Sequence, residues 1–239
     1  MRIALIALPF FALAACSAGQ SESRDAGPSG SRSFPVGAFN AVSLEGPDDV
    51  HVVTGPATAV VAEGASGTLD KLDISLDGRT LKIARKRSGW GMNWTSDKGV
   101  TVTVTVPAVT DAAVAGSGDM SIDSVEGDAF TGSVAGSGSL RIAAVAVKRA
   151  KLSVAGSGDL MAIGKTDGST LSTAGSGNID AARLASQRVT VSAVGSGNVE
   201  AAASESATIS IAGSGDVNIR GTDKCSVSKI GSGEARCSR

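Results

Sequence analysis

From residue 111 onward, apolar and small polar side chains alternate in short runs that break at one tripeptide. Gly-Ser-Gly begins at residues 116, 136, 156, 175, 195, 213 and 231, giving spacings of 20, 20, 19, 20, 18 and 18. A fixed period of this size marks a repeat architecture. Two residues before the first glycine stand Val114, Val134, Val154, Thr173, Ala193, Ile211 and Lys229. Four residues after it stand Met120, Leu140, Leu160, Ile179, Val199, Val217 and Ala235. Alternation on both sides of the turn predicts two short strands per repeat, each with one face inward. A repeat this short has no room for a strand, a helix and a return strand.

Two all-β architectures fit. In an antiparallel meander each repeat is a hairpin. In a parallel β-solenoid each repeat is one coil, and like residues stack at about 4.8 Å into columns. The solenoid is favoured, because a column explains why Gly, Ser and Gly recur as a unit, whereas independent hairpin turns would be free to differ. The expectation is a right-handed parallel β-helix with 18–20-residue coils, its glycines allowing close approach of successive coils and its serine hydroxyls bonding along the stack. The N-terminal part joins this register loosely. Val42 and Leu44 precede Gly46, and Val50 and Val52 follow it, with Gly46-Pro47-Asp48-Asp49 standing where later coils have Gly-Ser-Gly-Asp. Ile74, Leu76 and Gly78 predict another coil, and GVTVTVTVP at 99–107 a strand ended by proline. The expected organisation is a single solenoid domain over 34–239, with irregular coils at 34–110 and regular ones at 111–239.

The first fifteen residues, MRIALIALPFFALAA, place one Arg before an apolar run too short for a bilayer-spanning helix. They read as an export signal peptide. Leu13-Ala14-Ala15-Cys16 resembles the lipobox of bacterial lipoproteins, which implies that Cys16 becomes a lipidated N-terminus. Ser17 is not the Asp that would favour inner-membrane retention, so the resemblance implies anchoring to the outer membrane. Residues 16–33, polar and rich in Gly and Ser, read as a flexible tether. With Cys16 lipidated, two of the three cysteines remain. Cys225 and Cys237 lie six residues either side of the last turn, both in the inward register. Folding at the glycines brings them face to face, which predicts a disulfide capping the final coil, worth about 3 kcal/mol in the chain-entropy model.

Charge narrows the partners. Lys and Arg total 22 and Asp and Glu 23, without the basic excess of a nucleic-acid binder. No Tyr, two Trp and five Phe make a core of small aliphatic layers. The stretches FNAVSLEGPDDVHVVTG, LDGRTLKIARK and VTVTVTVP, followed by the GSGD and GSGN turns, resemble bacterial envelope proteins carrying the "putative auto-transporter adhesin, head GIN domain" over roughly residues 36–233. The resemblance implies a parallel β-helical fold and an exported, often lipid-anchored protein. The tripeptide Gly-Ile-Asn itself is absent, and no catalytic residue carries over.

Several constellations are candidates for chemistry. Asp119, Ser139, Asp159, Asn178, Asn198, Asp216 and Glu234 occupy one column. Calcium would suit a column of carboxylates, but Ser and Asn dilute it, and hydrogen bonding inside each turn accounts for the choice. No metal or cofactor is expected. Outward Thr/Ser columns (Thr131 and Ser133, Thr170 and Ser172, Thr190 and Ser192, Thr208 and Ser210, Ser226 and Ser228) would match a repeating ligand such as a polysaccharide, or even ice, and otherwise are a solvated face broken by Lys151. The segment RKRSGWGMNWTSDKG places Arg85, Lys86 and Arg87 beside Trp90 and Trp94, a pairing of cations and rings suited to glycans, peptides or lipid head groups, or else to packing over the solenoid. His51, the one histidine, has no second His or Cys nearby for a metal or a triad. No nucleophile elbow or P-loop is present. The sequence therefore reads as a non-enzymatic, lipid-anchored envelope protein presenting a surface for adhesion or glycan contact. The alternatives are a structural component without a discrete ligand and, behind it, a polysaccharide-active enzyme.

Overall fold

The computed structural model describes residues 28–86 and 99–239. Those residues form strands almost throughout, in chain order β1 (Ser29–Phe34), β2 (Ala41–Glu45), β3 (Asp49–Thr54), β4 (Ala59–Ala65), the single-turn helix α1 (Ser66–Leu69), β5 (Leu72–Asp77), β6 (Thr80–Arg85), β7 (Thr101–Val106), β8 (Asp111–Gly116) and β9 (Met120–Ile122). The regular part follows as β10 (Val125–Gly136), β11 (Ser139–Gly156), β12 (Asp159–Gly175), β13 (Ile179–Gly195), β14 (Val199–Gly213), β15 (Val217–Arg220), β16 (Cys225–Ile230) and β17 (Ala235–Ser238). Among the described residues no helix is long and apolar enough to cross a membrane.

Every pairing from β8 to β17 is parallel, and each residue lies beside its equivalent one repeat later, as Val134 beside Val154 and Leu140 beside Leu160. The chain is thus a β-solenoid, and the meander is excluded for the regular repeats. A straight strand as long as β11, 18 residues, would span about 60 Å. It must instead turn back within one period to stack on itself. The corners are visible where alternation slips and two successive residues face out, at Ala143-Ala144 and Lys148-Arg149. With the glycine turn as the third corner, each coil has three walls. In β11 the first wall is Ala150–Ala155, leading into the turn. The second is Ser139–Ile142, and the third, Val145–Val147, closes the coil.

Inward positions form continuous files: Gly132, Leu152, Leu171, Val191 and Ile209 on the first wall face Leu140, Leu160, Ile179, Val199 and Val217 on the second, nearly all buried. Size is complementary within the files. Phe130 is fully buried, and a Cβ on Gly132 would press on its ring and on Leu140 and Leu152.

The turn itself is held by backbone. The first-glycine carbonyl of one coil accepts from both the serine and the second-glycine N–H of the next: Gly136 O from Ser157 N at 2.9 Å and Gly158 N at 2.9 Å, Gly156 O from Ser176 N at 2.9 Å and Gly177 N at 2.9 Å. Serine hydroxyls do not bond along the stack as expected. Among the described residues only Ser214 and Ser232 do so, at 3.0 Å. Two reasons exclude a side chain from the glycine positions. The first glycine has positive φ, 122° at Gly156. At the second, a Cβ would lie under 3.0 Å from the second-glycine carbonyl of the coil before, as Gly177 against Gly158.

The acidic column also works between coils rather than inside each turn. Asp119 Oδ1 accepts from Ser139 N at 2.8 Å, Asn178 Oδ1 from Asn198 N at 3.0 Å, Asn198 Oδ1 from Asp216 N at 2.9 Å, and Asp216 Oδ1 from Glu234 N at 2.9 Å. A one-carbon arm carrying an acceptor reaches the next N–H, which is why Asp and Asn alternate freely there.

The N-terminal part departs from the sequence reading in three ways. Residues 72–85 are an antiparallel hairpin, β5 on β6, turning at Gly78 with φ 60°, of which only β6 joins the parallel stack, beside β2. Residues 29–33, assigned to the tether, belong to β1, which adds antiparallel to β4. Arg32 holds it there through Leu69 O at 3.1 Å and Asp70 Oδ1 at 2.5 Å. An edge strand needs backbone partners more than apolar side chains, so SGSRSF gives little sign of it. Finally, chain order is not stacking order. The β2 strand lies between β6 and β8, and β3 between β7 and β9, so the coil made of β6 and β7 packs outside the earlier coil of β2 and β3.

The two ends differ. At the N-terminal end antiparallel β5, β4 and β1 cover the outermost parallel strands. At the other, β16 and β17 each pair on one side only, and Cys225 and Cys237 form the expected disulfide across them, with Cα atoms 6.6 Å apart. Lys229 takes the position that Ile211 fills one coil earlier, and its ammonium donates to Gly233 O at 3.2 Å.

Two substitutions test this account. Gly177→Ala is expected to destabilise by about 2–4 kcal/mol, because backbone and not a movable side chain meets the new methyl; urea unfolding measures it. Thr173 stands in the inward file between Val154 and Ala193, and its buried hydroxyl has no partner. Thr173→Val is expected to stabilise by about 1 kcal/mol, seen as a raised unfolding midpoint.

Candidate functional site

The outer face of the first wall follows from the same register. Thr131, Lys151, Thr170, Thr190, Thr208 and Ser226 form one file, and Ser133, Ser153, Ser172, Ser192, Ser210 and Ser228 a second, unbroken one. A third file beside the turn is Ala135, Ala155, Ala174, Val194, Ala212 and Ile230. Neighbouring strands are about 4.8 Å apart and alternate residues on a strand about 6.7 Å. The result is a lattice of hydroxyls and methyls with one charge, Lys151. Among the described residues no other protein group takes the hydroxyls of the serine file. The Thr and Ser positions expected to face outward are therefore brought together on one surface.

The basic and aromatic segment is only partly described. Arg87, Trp90 and Trp94 lie outside the described residues, as do Cys16 and the export signal. Arg85 and Lys86 are placed, and both engage the body of the protein. Asp48, 1% exposed, accepts from Arg85 Nε at 2.9 Å, Arg85 Nη2 at 2.6 Å and Val100 N at 3.0 Å. Lys86 Nζ donates to Asp70 O at 3.0 Å. A bidentate guanidinium pair this buried, with the Val100 amide on the same carboxylate, ties the end of β6 to the start of β7. Asp48 stands at the second-glycine position of its turn. That departure from Gly-Ser-Gly was the available signal for it, and sequence reasoning passed over it. His51 sits exposed on the second wall, with Nδ1 2.5 Å from Ser121 Oγ.

A feature that sequence reasoning missed lies on the third wall. A concavity of about 740 Å³ is bordered by Lys148, Lys165, Thr166, Ser186, Ala203 and Arg220. A second of about 650 Å³ adjoins it toward the first wall, bordered by Phe130, Arg149, Lys151, Ser169 and Arg188, and the two share Lys148 and Asp167. The irregular period is its cause. The first wall keeps strict register throughout, so longer and shorter coils are accommodated elsewhere, at Ile142/Val145, Met161/Ile163, Ala181/Ala185 and Ser186/Arg188. Between β13 and β14 residues 182–184 have no counterpart, and the surface recedes to Ala202 and Ala203. Small residues make the floor: Ala146, Lys165, Ala185 and Ala202 stack in one file, so the Lys165 stem rises among methyl groups.

The concavity's hydroxyls are internally bonded. Thr166 Oγ1 donates to backbone carbonyl oxygen, that of Lys148 at 3.0 Å or that of Gly168 at 3.1 Å, and Ser169 and Ser186 hydroxyls meet at 3.0 Å. Lys148 pairs with Asp128 at 2.7 Å, and this hydrogen bond, with the attraction between the charges, holds the Asp128 carboxyl below its ordinary range and the Lys148 ammonium above its own. Both side chains are exposed, so the pair adds little to stability. Among the described residues no group of three His, Cys, Asp or Glu stands close enough to hold a metal ion.

Comparison with known proteins extends the picture. The model of the family described as "Putative auto-transporter adhesin, head GIN domain" matches residues 38–222. No curated protein matches the chain. A crystal structure named a "putative adhesin", from Bacteroides fragilis NCTC 9343, superposes with a TM-score of 0.80 at 22% identity, over 89% of this chain and 97% of that one. A "Putative lipid binding protein" from Parabacteroides distasonis ATCC 8503 gives 0.70 at 19% identity, over 89% and 97%. A "putative adhesin" from the same organism gives 0.70 at 17%, over 90% and 98%. At these identities the likeness is one of fold.

Arg85→Ala leaves the buried Asp48 carboxylate without its cation, and a loss of about 3 kcal/mol is expected. Chemical denaturation of the variant checks it, and Asp48→Asn combined with Arg85→Met should recover part of the loss.

Proposed function

The chain belongs to the family described as "Putative auto-transporter adhesin, head GIN domain", and on that footing we propose that it is a non-enzymatic envelope protein that holds a rigid solenoid surface against an uncharged glycan. The observation that carries this reading is the outer face of the first wall. Its serine file is unbroken over six coils, its hydroxyls are free of other protein groups among the described residues, and from β10 to β16 the face carries a single charge. Hydroxyls that both donate and accept match those of sugars. The methyls of Thr and Ala between them suit the C–H faces of a pyranose. The coil spacing of about 4.8 Å is close to the length of one sugar unit in an extended polysaccharide. Because the backbone ladder fixes the Cβ positions and these side chains are short, the ordering cost of binding is small.

Export and anchoring complete the reading. The apolar leader at 1–15, the lipobox-like Leu13-Ala14-Ala15-Cys16 and the polar stretch after it support a lipid-anchored protein of the outer membrane, with the solenoid held off the bilayer. The adhesin names of the family and of two structural relatives support contact with a surface rather than turnover. Trp90 and Trp94 belong to this proposal as a second contact, on the strength of their residue types alone.

Replacing Ser172 and Ser192 together by Gln lifts two neutral side chains above the flat lattice without adding charge. On an array of neutral polysaccharides this variant is expected to bind at least about tenfold more weakly, with its unfolding midpoint unchanged. Equal binding by wild type and variant, or binding lost only in Trp90→Ala with Trp94→Ala, would remove the first wall from the reading.

A further inference from the structure

We infer that the third wall, the corner it shares with the first wall and the adjoining edge of the threonine file (Thr131, Lys151, Thr170, Thr190) form a trough for an acidic polysaccharide, with the serine file of the first wall lying outside it. The two adjoining concavities are bordered by six cations, Lys148, Arg149, Lys151, Lys165, Arg188 and Arg220, against one carboxylate, Asp167. The whole chain carries a net charge of −1, so this concentration is local. Half of the cations have partners at the rim: Lys148 with Asp128 at 2.7 Å, Arg188 with Glu205 at 2.9 Å and Arg220 with Glu200 at 3.3 Å. All six of those side chains are largely exposed, and pairs of that kind are weak enough for an incoming carboxylate to share. Among the described residues Arg149, Lys151 and Lys165 have no ion-pair partner.

Placement favours a chain-like ligand over a compact one. Lys148, Arg149 and Lys151 sit on β11, Lys165 on β12, Arg188 on β13 and Arg220 on β15. That is a run of four coil steps, about 19 Å along the solenoid axis. The trough exists because residues 182–184 have no counterpart in the next coil, which leaves a floor of Ala185 and Ala202 too small to block a polymer lying along it. Ser204 and Gln187 add polar groups beside the cations.

The same lining argues against other polyanions. Single-stranded nucleic acid is held by aromatic side chains on which bases stack. Among the described residues the one ring bordering the trough, Phe130, is 1% exposed and lies beneath the wall. An anionic bilayer calls for a convex or flat basic face with large apolar side chains to insert, and this face is concave and lined with alanine and glycine. Alternating carboxylates on a hydrated sugar backbone require only cations at intervals and hydroxyl partners.

The test uses the full chain on immobilised polygalacturonate, with dextran and single-stranded DNA as parallel surfaces. Wild type is expected to bind the polyuronate at low ionic strength and to release it as salt is raised. Arg149→Glu with Lys165→Glu should weaken that binding by about tenfold or more at an unchanged unfolding midpoint, and Lys165→Gln by a smaller factor. The Ser172→Gln, Ser192→Gln protein should bind polygalacturonate as wild type does, which keeps this trough distinguishable from the neutral face. No binding at low salt, retention by the charge-reversed variant, loss with the serine variant, or tighter binding to the DNA would each overturn the inference.

Discussion

One carbonyl oxygen meeting two amide hydrogens fixes the rest of the molecule. At each Gly-Ser-Gly turn the first-glycine carbonyl of one coil accepts from the next coil at two adjacent nitrogens. That contact sets the rise between coils at the turn, and no Cβ fits within it. Every file on the first wall inherits its alignment from this point, which is why that wall stays in register while the other corners absorb residues. The Asp and Asn arms extend the same logic by one step, each side chain serving the N–H of its successor. What looks like a stack of acidic groups is a set of acceptors already engaged along the axis. The electrostatics of the surface must therefore be read from the other walls.

Those walls divide the chemistry. From β10 to β16 the first is uncharged but for Lys151 and geometrically strict, because any large side chain there would project from a closely spaced lattice. The third is irregular and basic, because its coils differ in length and its small residues leave room beside long cationic stems. A single repeat thus produces two surfaces of opposite character. The division originates in where the chain tolerates a change of length: at the turn it tolerates none, and at the far corners it tolerates up to three residues.

Much of this was legible in the sequence. The period, the inward files, the parallel stacking and the Cys225–Cys237 bridge all follow from residues repeated in phase. Where phase is lost, legibility goes with it. The β5–β6 hairpin shows the same alternation as a coil, and only its two-residue connection at Asp77-Gly78-Arg79-Thr80 distinguishes it. The β1 strand has almost no apolar residue, since its role is to satisfy the backbone edge of β4. Asp48 interrupts a glycine position and was read as part of a looser turn, although its burial with Arg85 makes it the anchor of the adjoining coil. The basic trough was hidden because its cations are scattered over four coils. In one dimension only Lys148, Arg149 and Lys151 stand together.

The disagreement between chain order and stacking order restricts how such a molecule can change in length. The winding formed by β2 and β3 is enclosed between two that appear later in the chain, and antiparallel β5, β4 and β1 cover the outer of these, so a further winding on that side would have to displace those three strands. The opposite extremity is closed by a cystine and by an ammonium group where an aliphatic residue would receive a neighbour. Growth is left to the interior. A duplicated segment of one period, spliced in frame between residues 136 and 195, would find matching donors and acceptors above and below and would lengthen the first and third walls together.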